Sequence, residues 1–106
     1  MNYVIRNEDI EQVMIGKPKG HKHLRICLKL KDKTIILQEA AIANILRAYI
    51  TIKTHPTVKA LILEKKIMSP ESVKEGYAEH QLLEVQKNEE EIEEEINRLL
   101  KTARLF

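Results

Sequence analysis

Hydrophobic and polar positions alternate from Leu24 onward. Leu24, Ile26, Leu28 and Leu30 fall on one side of an extended chain, with Arg25, Cys27, Lys29 and Lys31 on the other. A period of two marks a half-buried strand. Asp32 and Lys33 interrupt the pattern, and Thr34 to Gln38 resumes it with Ile35, Ile36 and Leu37. The two stretches predict a β-hairpin over 24–38, although Asp-Lys is a poorer tight turn than Asp-Gly because lysine disfavours positive φ. The unbroken Ile-Ile-Leu run predicts a second strand covered on both faces or central in its sheet.

At Glu39 the period changes. Ile42, Ile45, Leu46, Tyr49 and Lys53 recur at helical spacing, with Ala40, Ala41, Ala43 and Ala48 between them. Alanine favours the helix and allows close approach to a sheet. Ile50 and Ile52 lie off the stripe, so the helix over 39–53 reads as apolar nearly all round. It is expected at the buried centre of the domain.

The flanking segments are less regular. Residues 2–6 form a short apolar stretch suited to a strand. Over 9–15, Ile10, Val13 and Met14 satisfy a short helix capped by Asn7, and a strand fits equally. Residues 16–22, GKPKGHK, read as a basic loop. His55-Pro56 ends the central helix, since a residue before proline avoids the α region. Residues 57–67 suit either a strand or a helix with Thr54 as cap and Pro56 in its first turn; the helix is the preferred reading. Ser69-Pro70-Glu71 is a helix start signal.

From Pro70 the pattern predicts a long C-terminal helix. Ala78, Leu82, Val85, Glu89, Ile92, Ile96, Leu99, Ala103 and Phe106 follow a 4-3-4-3 heptad spacing, faulted at Glu89, and Asn88 is a mild break. A continuous helix over this stretch would be about 54 Å long. A compact domain of this size has a radius of gyration of roughly 13 Å. The helix must therefore project, fold back at Asn88, or pack on a second copy. The seam formed by Leu82, Val85, Ile92, Ile96, Leu99, Ala103 and Phe106 is accordingly a candidate homodimer contact.

Charge divides the chain. Residues 1–66 hold 13 Lys/Arg against 6 Asp/Glu, a net +7, and residues 67–106 hold 5 against 10, a net −5. The 106 residues are expected to form a single domain, a basic α+β body over 1–66 and an acidic helical segment over 67–106 that doubles as a dimerisation arm. The single cysteine excludes an intrachain disulfide and fits a reducing compartment. No long apolar run is present, and Arg6, Glu8 and Asp9 follow Met1 closely, unlike a secretory leader. A cytoplasmic protein with no membrane partner is the expectation. The abundance of Ile, Lys and Glu fits a thermophile's composition.

Candidate chemistry is sparse. Lys17, Lys19, His21, Lys22, His23, Arg25, Lys29, Lys31 and Lys33 cluster in one loop and one hairpin, a pattern that attracts DNA or RNA phosphates. No helix-turn-helix, zinc-finger, RNP or KH signature accompanies them, and four aromatic residues give few stacking platforms. Lysine on a hairpin edge is also the usual device against aggregation. His21, His23, His55 and His80 lack the second ligand pair a zinc site needs. Cys27 has cationic neighbours but its closest histidine in sequence, His23, is about 13 Å away along a strand, so it reads as structural. The acidic run 89–95 is a solvated helix face, and GKPKG lacks the Gly-Lys-Ser/Thr ending of a phosphate loop.

The sequence thus predicts an α+β fold: a small antiparallel sheet built on the 24–38 hairpin, packed against the 39–53 helix, with a long C-terminal helix. No catalytic constellation converges and no metal or cofactor is implied. The leading functional expectation is a homodimeric, non-enzymatic binding module with a basic surface for nucleic acid. The alternative is a protein-interaction or assembly subunit that uses the C-terminal heptads and has no nucleic-acid ligand.

Overall fold

The computed structural model describes residues 1–73 and 78–106. The fold is mixed α+β, with antiparallel sheets and two helices. Two compact units divide the chain, one of residues 1–39 and 95–106 and the other of residues 40–94. This division does not follow the charge boundary at residue 66.

In the first unit, three antiparallel strands run in the order β2-β3-β4: β2 (Ile10–Gly16), β3 (Arg25–Leu30) and β4 (Thr34–Gln38). The 24–38 hairpin forms as its alternation requires. Leu28 lies opposite Val13 and Ile35, and Cys27 opposite Met14 and Ile36, so odd and even positions of β3 define two sheet faces. Leu30 is buried on the first face. The hairpin closes through Lys31–Lys33, with the Leu30 N–H bonded to the Lys33 carbonyl at 2.8 Å. Lys31, Asp32 and Lys33 all keep a negative φ, so the turn forms without the conformation that lysine disfavours. The expectation of a covered β4 is corrected: β3 is the central strand, β4 lies at the edge, and Ile36 is exposed.

Residues 7–9 form a single 3-10 turn, and 10–16 a strand, so the strand reading of this stretch holds and Asn7 is not its cap. The Asp9 carboxylate accepts the Arg6 N–H at 2.8 Å and closes the turn. A register shift between Ile10 and Gln12 makes Glu11 a bulge. The chain ends meet as a parallel pair, β1 (Tyr3–Val4) with β7 (Arg104–Leu105).

The second unit contains α1 (Glu39–Thr54) and an antiparallel pair, β5 (Leu63–Ile67) with β6 (His80–Glu84). The helix preferred over 57–67 is absent, and its last five residues are β5. At the end of α1, His55 Nδ1 accepts the N–H groups of Thr57 and Val58, each at 3.2 Å, holding the chain in a turn about Pro56. Ladder bonds to β6 then outweigh local helix propensity.

Pairing with β5 also breaks the predicted C-terminal helix. Ser69-Pro70 starts a 3-10 turn of only three residues, Pro70–Ser72. Leu82 of the heptad series lies on β6 and Val85 just beyond it, with its N–H on the Ile62 carbonyl at 3.2 Å. The helix itself, α2 (Glu89–Thr102), is 14 residues long. Asn88 caps it: its Oδ1 accepts the Glu90 N–H at 2.8 Å, and three glutamates in the first turn suit the positive end of the helix dipole. Ile92 is buried, as are Leu30 and Ala60 elsewhere in the chain.

Candidate functional site

The nine basic positions do not form one surface. Lys17, Lys19, His21, Lys22 and His23 sit exposed in the loop between β2 and β3. That loop is shaped by a turn in which the His21 N–H meets the Pro18 carbonyl at 3.0 Å, with Gly20 at φ 81. A φ of that sign at the third turn position is where glycine is required. The loop is tied to the start of α1 by Glu39, which accepts a 2.8 Å bond from His23 Nδ1 and a 3.3 Å bond from the Leu24 N–H. The His23 bond, above all, holds the Glu39 carboxyl below its usual range.

Arg25 is half-buried, and its guanidinium donates to the carbonyls of His23 and Leu24 at 3.2 and 3.1 Å. It braces the loop's exit. Lys29 is exposed on β3, and Lys31 and Lys33 occupy the far turn, about 17 Å along the strand from Arg25. Lys33 is engaged there: its Nζ lies 5.4 Å from the Tyr3 ring centroid and 4.7 Å from that of Phe106. The loop, not the hairpin, is therefore the concentrated basic feature.

The far turn borders an open cleft of about 910 Å³. Tyr3, Leu105 and Phe106 supply its apolar wall, and Glu8, Asp9, Glu11, Asp32, Lys31 and Lys33 its charged lining. The Arg6 backbone N–H, with further help from its guanidinium, keeps Asp9 below the ordinary carboxylate range. Asp9 is an ionised acceptor there, the opposite of a general acid. Cys27 is half-buried between Met14 and Ile36, an apolar setting for a thiol. Among the described residues no three His, Cys, Asp or Glu side chains are grouped to hold a metal ion.

The seven predicted dimer-contact residues are dispersed. Leu82, Val85, Ala103 and Phe106 are half-buried, and Ile92 is buried within the chain. Ile96 and Leu99 remain open, joined by Leu100.

A larger apolar surface lies on α1, contrary to the expectation that this helix forms the buried centre. At about 100° per residue, Ala40, Ala41, Asn44, Ala48 and Thr51 share one face, and all are buried or half-buried. Asn44 is satisfied there by Gln81 Oε1 at 3.1 Å. The opposite face carries Ile42, Leu46, Tyr49 and Ile50. Leu46, Tyr49 and Ile50 are 53, 57 and 51% exposed, and Ile45 beside them is 49% exposed. The small side chains face in and the large ones face out. Periodicity showed this stripe in the sequence; its reading as core was the error.

Comparison with known proteins adds no relative: the chain matches no protein-family model, no curated protein and no solved structure. No helix among the described residues is long and apolar enough to cross a membrane.

Proposed function

We propose that the protein is a non-enzymatic binding module that works as a homodimer. The observation that carries this reading is the outward face of α1, where Leu46, Tyr49 and Ile50 stand half in water while the other face buries Asn44 and half-buries Ala40, Ala41 and Ala48. Contiguous exposed apolar surface of this kind marks a protein contact. Sedimentation equilibrium tests it: the wild-type chain is expected at twice its 12.3 kDa mass, dissociating on dilution. A 12.3 kDa species at every concentration would refute it.

The dimer's ligand surface is the basic loop, and the ligand is nucleic acid. The feature favouring this is the exposure of Lys17, Lys19 and Lys22 together in one loop, with no salt bridge to any of them among the described residues and only Lys17 near enough to Glu39 to act on its carboxyl. Three lysines per subunit, six per dimer, give a slope of log K against log salt of about −5. A salt-series gel shift with a mixed-sequence duplex and a single strand measures it. Changing Lys17, Lys19 and Lys22 to Glu should abolish the shift while leaving the mass unchanged. A dimer that produces no shift at low salt would leave the assembly role standing and remove the nucleic acid.

A further inference from the structure

We propose that the dimer is made by α1 packing antiparallel on α1 of a second copy, with Leu46 at the two-fold axis. This deepens the homodimeric reading above and rests on it. Along the outer face, Glu39, Ile42, Leu46, Tyr49 and Lys53 follow a 3-4-3-4 spacing, the seam along which two helices interlock. Leu46 lies at the centre of that face, diametrically opposite the buried Asn44 and the half-buried Ala48.

The charges select the orientation and the partner. Glu39 and Lys53 each lie seven residues from Leu46. A two-fold through Leu46 therefore sets Glu39 against the partner's Lys53, and Lys53 against the partner's Glu39. The same operation places Ile42 against the partner's Ile50. A parallel pair would instead bring glutamate to glutamate and lysine to lysine. Opposed helix dipoles also favour the antiparallel arrangement. The rival seam on α2 exposes fewer large side chains, Ile96, Leu99 and Leu100, on a helix whose six glutamates outnumber Arg98 and Lys101. A second copy of this chain is thus the occupant that the α1 face fits.

Disulfide trapping of the full chain tests the geometry. With Cys27→Ser removing the native thiol, Leu46→Cys places two thiols beside the axis, and mild oxidation should give a covalent dimer in high yield. Ile50→Cys in the same background is the control. Its two copies stand eight residues apart along the axes, about 12 Å, well outside the roughly 4.4–6.8 Å Cα separation a disulfide spans. Charge exchange gives an independent readout: Glu39→Lys and Lys53→Glu should each weaken the dimer several-fold, and the double variant should restore it. A wild-type dimer that traps through Ile50→Cys as readily as through Leu46→Cys, or gains nothing from the double exchange, overturns the α1 interface. That result leaves dimerisation by another surface intact. A wild-type monomer overturns both.

Discussion

The substitution Ile92→Ala separates the buried part of α2 from its open part. Ile92 is 5% exposed, whereas Ile96 and Leu99 on the same helix are 45 and 47% exposed. Trimming isoleucine to alanine removes three carbons, about 2.4 kcal/mol of transfer free energy when fully buried. The cavity left behind raises the loss at Ile92 to about 3 kcal/mol. At Ile96 about half of the transfer term is already forfeited to water. Alanine's better helix propensity offsets a further ~0.4 kcal/mol, leaving a loss of about 0.8 kcal/mol. Urea unfolding followed by far-ultraviolet circular dichroism converts these into midpoints. With an m value of about 1.5 kcal/mol per molar, Ile92→Ala lowers the midpoint by about 2 M and Ile96→Ala by about 0.5 M. Equal shifts for the two would mean that the C-terminal seam is covered in solution. The α2 face would then be the self-contact, and the argument for α1 would fail.

Other consequences are as specific. Asn88→Ala removes the acceptor of the Glu90 N–H and should lower stability by about 1 kcal/mol, visible as lost amide protection in the first turn of α2. Glu39 has a folded pKa lowered from its ordinary 4.5, so its contribution is fully present above that value and is lost as pH falls through the lower, folded one. The gap in urea midpoint between wild type and Glu39→Gln should therefore close as pH falls below 4.5; a gap that persists in acid would refute the His23–Glu39 tie. Lys33→Met should lose about 0.5–1 kcal/mol through its contacts with Tyr3 and Phe106, whereas Lys31→Met should be neutral in the same thermal melt.

What the sequence disclosed depended on how local the determining interaction was. The hairpin and the start of α1 could be read because the change from period two to period 3.6 at Glu39 is written in adjacent residues. β5 and β6 could not. Leu63 to Ile67 and His80 to Glu84 choose the strand because they pair with one another across a dozen intervening positions, and nothing in either segment records that partner. Leu82 and Val85 fitted a heptad by coincidence, since apolar residues three apart also serve an extended chain beside a helix. Asn88, noted as a mild break, was the true boundary. α1 failed in a different way. Its stripe was visible, but periodicity gives the direction of a face and not its sign. Hydrophobic residues inside is a one-way rule, and here Asn44, Ala40, Ala41 and Ala48 occupy the inner side. The basic loop was legible as a cluster, while the capture of Lys33 by two rings at the chain ends was not.

The measurement that bears most directly on the account is the mass of the wild-type chain beside that of Leu46→Glu at matched concentration. Leu46 touches water in the folded subunit, and glutamate is a good helix former, so the variant should keep its circular dichroism spectrum. Sedimentation should then give twice 12.3 kDa for the wild type and 12.3 kDa for the variant. An equal mass for the two chains, whether one subunit or two, would contradict the claim that the outer face of α1 holds the protein together.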